Sequence, residues 1–193
     1  MRYAAFLAGL SALLICGSAV APFDVQNQPH KTTPLILEKN EGERRVWRPL
    51  EGVQGLPSLF ILKVDPRNGG SSHLVFGTED LPVGGRIDAH RHPTSDEILF
   101  LQNGFARVSV DNKVREVHAG ATVFIPADVR ISAVNLGKEP IHLIYVFSAP
   151  GFDEFMRAES VREGEQAVPL TKAEDAAILA KHAHAVVYEE PLK

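Results

Sequence analysis

Two histidines and a glutamate near the middle of the chain have the residue types and the spacing to hold one divalent metal ion. His90 and His92 are two residues apart, and Glu97 follows five residues later. If the histidines lie on a β-strand, both imidazoles point to one face because side chains alternate along a strand, and Glu97 on the next strand can reach the same spot. Two imidazoles and one carboxylate are the ligand set of non-haem iron(II) oxygenases, and manganese, nickel and zinc also accept it. The sequence therefore predicts a metal site at His90, His92 and Glu97 without selecting the metal.

Glu97 has a second chemical role open to it. Instead of staying on the metal, its carboxylate could move a proton during a reaction, which requires a raised pKa. Glu97 is therefore both a predicted ligand and the predicted catalytic residue.

The spacing around these residues is similar to the first of the two sequence motifs of the cupin superfamily. The segment reads Gly84-x5-His90-x-His92-x4-Glu97-x6-Gly104, with both bounding glycines present. The resemblance covers about residues 70–150 and implies an all-β fold, a single cupin-type antiparallel β-barrel or jelly roll, with short C-terminal helices added.

The second cupin motif, G-x5-P-x-G-x2-H-x3-N, is matched only in part. Gly120, Pro126 and Asn135 fit it, whereas Asp128 stands in place of its second glycine and Ile131 in place of its histidine. An aliphatic side chain cannot coordinate a metal, so a three-ligand site is expected. Such a site is chemically sound, because a catalytic metal needs open positions.

The resemblance implies an enzyme that uses a divalent metal on a small organic molecule, similar to the quercetinase-like cupin dioxygenases. Two alternatives remain open. One is a ligand-binding or structural cupin that lost its activity together with the histidine replaced by Ile131. The other is an isomerase, lyase or decarboxylase that uses the same ligands without oxygen. The resemblance also implies a homodimer.

Other polar residues could add to the site, although each has a simpler explanation. His73, His118 and His142 are candidates for a replacement ligand, and His142 is slightly preferred because it lies in an apolar run after Ile131. Asp128 is most simply a turn residue, since aspartate tolerates a positive φ.

Two further groups have a structural explanation available. Arg130 could bind an anionic substrate or occupy an exposed strand end equally well. His182 and His184 share the H-x-H spacing, but at a helix end their rings diverge, so we expect no second metal site there.

Composition narrows the class of function. The chain has 193 residues, 45% of them hydrophobic, which suits one globular domain, and its formal net charge is -4. No basic stretch is longer than a pair, so a nucleic-acid partner is not expected. A small-molecule substrate or ligand is the favoured partner.

The N-terminus predicts a secretory signal peptide over residues 1–21. Met1-Arg2-Tyr3 precedes an apolar run from Ala4 to Ile15, which is too short to span a bilayer, and small residues follow. Export to the periplasm or the medium is therefore expected, with no membrane association after cleavage. The single cysteine, Cys16, lies inside this segment, so no disulfide is predicted.

The rest of the chain predicts an arm with flanking strands over 22–69, the barrel over 70–150 and a helical extension over 151–193. Within 70–150, short alternating strands are separated by turn signals every eight to twelve residues, as in a sandwich or barrel. Short strands are also expected at Leu35–Leu37, Arg45–Trp47 and Ser58–Val64. A helical turn at Phe152–Arg157 should cover one mouth or edge of the barrel, and Thr171-Lys172-Ala173-Glu174 predicts a capped helix. Val186–Tyr188 is expected to be an extended tail.

Overall fold

The structure is a computed structural model that describes residues 32–53 and 58–189. The predicted signal peptide at 1–21 lies outside these residues. The elements, in chain order, are β1 Glu43–Trp47, β2 Leu59–Val64, β3 Val75–Leu81, β4 Arg86–Arg91, β5 Glu97–Leu101, β6 Phe105–Val110, β7 Lys113–His118, β8 Thr122–Ile125, β9 Ile131–Asn135, β10 Ile141–Phe147, α1 Phe152–Ala158, β11 Ser160–Arg162, α2 Lys172–Lys181 and β12 Val187–Tyr188.

The strands form two antiparallel sheets. The larger has the order β11-β1-β2-β3-β10-β5-β8, and the smaller has the order β12-β4-β9-β6-β7. Neighbours in the sheets are mostly distant in sequence, which is the pattern of a jelly roll. The predicted all-β cupin-type fold with short C-terminal helices is confirmed.

Alternation of side chains builds the core between the sheets. In β10 every second residue is buried, from Ile141 to Phe147, and β9 alternates in the same way from Ile131 to Asn135. Inward-facing positions of both sheets then meet in one apolar cluster, which includes Phe60, Leu101 and Ile125. Because β4 and β5 belong to different sheets, this packing also brings His90 and Glu97 face to face.

Helix α1 is fixed to the barrel by one buried arginine. Arg157 lies 2.7 Å from Asp65, 2.9 Å from Asp153 and 2.9 Å from Glu43, which come from the barrel turn, the helix itself and β1. The ion pairs hold the helix so that Phe152 faces the predicted metal site.

Helix α2 begins at a capping box, as the sequence predicted. The side chain of Thr171 accepts a hydrogen bond from the Glu174 amide, and the Glu174 carboxylate accepts one from the Thr171 amide. Neither described helix is long or apolar enough to cross a lipid bilayer.

Two predicted extended segments turned out differently. The prediction of a strand at Leu35–Leu37 is wrong, because no neighbouring strand pairs with this segment and Ile36 is 97% exposed. The C-terminal segment predicted as a tail contains β12, in which Tyr188 pairs with His90 of β4. Strand β12 therefore forms an edge of the smaller sheet, next to the predicted ligands.

Candidate metal centre and cavity

His90, His92 and Glu97 converge at one buried point between the two sheets. Their ligand atoms all lie within 4.8 Å of one another. The two Nε2 atoms are 3.0 Å apart, and Nε2 of His92 lies 3.5 Å from Oε2 of Glu97. His90 is the last residue but one of β4, His92 follows directly after that strand, and Glu97 begins β5. The structure thus brings together the three residues that the sequence singled out.

Backbone carbonyls fix the orientation of both imidazole rings. Nδ1 of His90 lies 2.7 Å from the carbonyl oxygen of Asp88, and Nδ1 of His92 lies 2.9 Å from that of Ala185. A carbonyl only accepts, so each Nδ1 must carry the proton and donate it. Each Nε2 is then left with a bare lone pair, and the two lone pairs face each other. This arrangement is typical of metal-ligating histidines, and a cation between them removes the repulsion.

The carboxylate of Glu97 provides a third group that a cation at this point would contact. Its Oε2 is buried and has no hydrogen-bond partner in the described part of the chain. Burial, with a smaller contribution from the charge of Glu79, raises the pKa of Glu97 to about 8. A buried acceptor without a donor is costly, and a bound divalent metal would satisfy it. The donor set and its unpaired atoms therefore fit a divalent metal.

Burial shifts the pKa values of the two histidines in the opposite direction, downward. It lowers the pKa of His92 to about 3, with a further lowering from the adjacent His90, and it also lowers the pKa of His90. Both rings are therefore neutral near pH 7, which is the form that binds metals. Phe147 and Phe152 pack against His92 at 4.8 and 4.5 Å between ring centroids, so the site is shielded by apolar groups.

The missing fourth ligand is not replaced by any of the candidate histidines. His142 lies 2.5 Å from Asp80 in a cross-strand pair at a separate surface, and His118 stacks on Phe105. His73 is exposed, outside the strands. Ile131 itself is completely buried opposite His90. Within residues 32–53 and 58–189, the three residues of the site form the only group of this kind.

The remaining residues of the second motif shape the backbone. Asp128 has a φ of 65°, as expected of a turn residue, and its amide donates a hydrogen bond of 2.8 Å to the carbonyl of His92. Its side chain pairs with Arg91. Asn135 is buried, and its Nδ2 donates to the carbonyls of Leu81, Pro82 and Glu139, which ties together two turns. Neither side chain reaches the predicted ligands.

Arg130, His182 and His184 each contact nearby side chains. Nε of Arg130 lies 2.7 Å from Glu189, which explains it as a strand-end ion pair. His182 is buried against Phe155 at the C-terminus of α2, and its ring lies 6.2 Å from that of His184.

A cavity of about 470 Å³ opens beside the site, within the size range of pockets for small organic ligands. His90 and Glu97 form part of its wall. Six aromatic side chains line it: Trp47, Tyr145, Phe147, Phe152, Phe155 and Tyr188. The predicted cover is present, because Phe152 of α1 stacks on His90 with the rings 8° from parallel.

Several cavity residues were not foreseen from the sequence. Glu79, Glu159 and Tyr188 line the cavity together with Trp47, although they are far apart along the chain. For Glu79 a signal was available, since alternation in β3 places it on the inward face with Val75 and Leu81. For Glu159 and Tyr188 no spacing rule applies, because only the packing of the C-terminal segment brings them to the barrel.

The comparisons with known proteins agree with this fold. The family model for the cupin domain matches residues 77–147. Residues 77–147 are a cupin domain. This cupin superposes on a predicted oxalate decarboxylase of Thermotoga maritima with a TM-score of 0.52 and 17% identity, covering 60% of this chain and 100% of the other. That likeness shows the fold.

Curated relatives match over shorter segments. The cupin is 33% identical over 64 residues to an uncharacterized protein of Methanocaldococcus jannaschii, which is 33% of this chain and 51% of the relative. It is 29% identical over 80 residues to Protein SchB of Streptomyces halstedii, covering 42% and 58%. The chain thus spans about half the length of the curated relatives it matches.

Proposed function

We propose that this cupin is an exported enzyme that binds a divalent metal at His90, His92 and Glu97 and acts on a small organic molecule in the adjoining cavity, in the manner of the cupin dioxygenases. One observation supports it above all. Two histidine Nε2 lone pairs and an unpaired Glu97 oxygen converge on one point in the cavity wall. A divalent cation would satisfy all three.

The chain's own residues would position and shield the reacting groups. A bound metal would polarise a substrate oxygen or activate dioxygen, leaving positions open because only three protein ligands are present. The carbonyls of Asp88 and Ala185 hold the two rings, and the phenylalanines keep bulk water away. Glu97, with its raised pKa, can hold a proton when it does not bind the metal.

A second candidate function is favoured by Ile131. Its buried side chain fills the position of the missing histidine with apolar surface. A non-catalytic cupin that binds a small ligand would need no more than this cavity. The two candidates differ in whether the protein holds a metal.

Metal content tests the proposal directly. The purified protein is reconstituted with iron(II), manganese, nickel or zinc, and bound metal is measured by inductively coupled plasma mass spectrometry. We expect about one equivalent in wild type and in His118→Ala, whose histidine stacks on Phe105 away from the site, and none in His92→Ala. If wild type binds none of the four metals, the enzymatic proposal is wrong and the non-catalytic cupin is favoured.

Oxygen uptake tests the type of reaction. The loaded protein is incubated with flavonols, diketones and catechols in an oxygen electrode, and His92→Ala is the control. Uptake that depends on His92 supports a dioxygenase. Turnover of a substrate without uptake would instead indicate an isomerase, lyase or decarboxylase.

Export and assembly need separate tests. Cell fractionation should find the protein, shortened by about the length of a signal peptide, outside the cytoplasm. Uncut protein in the cytoplasm would contradict export.

We also propose a homodimer, by analogy with other cupins, and sedimentation equilibrium should give about twice the monomer mass.

A further inference from the structure

The wall of the cavity carries acidic side chains in addition to Glu97. Glu79, Glu159 and Asp175 line it at positions outside the predicted metal site. Glu79 is satisfied within the protein, because its Oε1 accepts hydrogen bonds from Trp47 Nε1 at 3.0 Å and from Ser58 Oγ at 2.8 Å. Glu159, in contrast, has a carboxyl oxygen without a hydrogen-bond partner among the described residues. This unpaired oxygen points to a ligand.

Glu159 presents a buried carboxyl group with one unpaired oxygen. The residue is only 7% exposed, and its Oε1 is buried with no hydrogen-bond partner in the described residues. Hydrogen bonds hold the backbone of Glu159 at both its amide and its carbonyl. The amide donates to the Phe155 carbonyl at 3.0 Å, and the carbonyl accepts from the Arg48 amide at 2.9 Å.

The arginines of the cavity wall do not supply a partner. Arg48 donates through Nε to the carbonyl of Val168 at 2.8 Å, and Arg86 lies 2.8 Å from Asp88. Burial, with a smaller contribution from Asp175, raises the pKa of Glu159 to about 7, although Arg48 acts against it. Oε1 of Glu159 therefore receives no hydrogen bond from the described residues, although the charge of Arg48 is near enough to affect the pKa of this carboxyl.

The rest of the wall suits a cation on an organic body. Aromatic faces attract a positive charge within about 6 Å of the ring centroid, and Trp47, Phe155 and Tyr188 line the same cavity as Glu159. Phe155 lies 6.4 Å from Trp47 and 6.2 Å from Tyr188 between centroids, so the three form one group.

We propose that the cavity binds an organic amine, whose protonated nitrogen donates a hydrogen bond to Glu159 while its apolar body packs among the aromatic side chains. The proposal rests on the proposed function in treating this cavity as the substrate pocket. It adds the chemical class of the substrate, a cationic amine, and makes Glu159 the residue that selects it.

The single tryptophan of the chain provides a readout that does not depend on activity. Trp47 lines the cavity, so its fluorescence reports occupancy. Three probes of similar shape are titrated at pH 8: 2-phenylethylamine, 2-phenylethanol and 3-phenylpropionate. We expect the amine to bind at least about tenfold more tightly than the alcohol, because a hydrogen bond between two charged groups is stronger than one from a neutral hydroxyl, and the acid to bind most weakly.

A pair of variants assigns the preference to Glu159. Glu159→Gln should lose the preference for the amine, whereas Glu163→Gln should keep it, because Glu163 pairs with Arg44 on the surface. Near-ultraviolet circular dichroism shows whether each variant is folded. The ranking of probes by wild type tests the proposal even if Glu159→Gln does not fold.

Equal binding of alcohol and amine by wild type, or an unchanged preference in folded Glu159→Gln, would overturn the inference. Metal content separates it from the proposed function. A protein that binds metal without preferring the amine contradicts only this inference. A protein that prefers the amine but never binds metal contradicts only the metal-dependent function.

Discussion

Ile131 lies directly opposite His90 in the antiparallel ladder between β4 and β9. Opposite residues in such a ladder project to the same face, with Cβ atoms about 4.5–5.5 Å apart. The isoleucine therefore fills the place from which a further ligand could reach the site. Its complete burial shows that the position has been taken over by the apolar core.

Ile131→His should strengthen metal binding. The new imidazole would lie on the same face as His90 and could complete a four-ligand site. We expect at least about a tenfold gain in affinity, in line with the cost of losing one supporting group in metal sites, measured by competition with a chelator.

The matched control for this gain is Ser132→His. Ser132 follows Ile131 in β9, pairs with Ser109 and projects to the other face. It should leave the affinity unchanged. An equal gain in both variants would show that the register of β9 does not position the new ligand.

Glu159 should make the unfolding free energy depend on pH. Its pKa is about 7 in the folded protein and about 4.3 in an unfolded chain. Because the folded value is raised, the stabilisation is fully present below about pH 4.3 and is lost as the pH rises through 7.

The measurement is urea unfolding between pH 4 and pH 9 in the presence of a chelator. Wild type should lose more stability across this range than Glu159→Gln, which cannot ionise. Parallel curves for the two proteins would mean that the Glu159 carboxyl is solvated in the folded state.

Arg157→Met should destabilise the protein by about 3–5 kcal/mol, because Asp65 and Asp153 would remain buried without their partner. Arg107→Met is the control. Arg107 makes an exposed pair with Glu116 at 3.0 Å, and losing it should cost less than about 1 kcal/mol. Urea unfolding distinguishes the two, and similar losses would show that the Arg157 cluster is not a buried anchor.

Gly77→Ala should destabilise the fold by about 1–3 kcal/mol or more through overpacking. A Cβ atom at Gly77 would overlap the carbonyl oxygen of Ile61 and the hydroxyl of Tyr145. At Gly137 the nearest atom, Oδ1 of Asn135, would be 3.2 Å away, so Gly137→Ala should cost less. Thermal unfolding of both variants gives the comparison, and a reversed order would contradict the close packing of β3 against β2 and β10.

Local patterns in the sequence predicted much of the fold. Alternation located most strands of the barrel, and the Thr171 capping box located the start of α2. Leu35–Leu37 was predicted wrongly because an apolar run carries no information about whether a partner strand exists. The last strand was missed for the same reason, since pairing between β12 and β4 joins residues about a hundred positions apart.

The sequence by itself indicated the predicted ligands His90, His92 and Glu97, because a His-x-His pair at the end of one strand and a glutamate at the start of the next depend on short-range spacing alone. Only the tertiary structure decided the carbonyl partners of the rings, the unpaired oxygen of Glu97 and the acidic, aromatic cavity around Glu159. These features arise where segments distant in sequence meet, and the burial that shifts the pKa values exists only after that packing has formed.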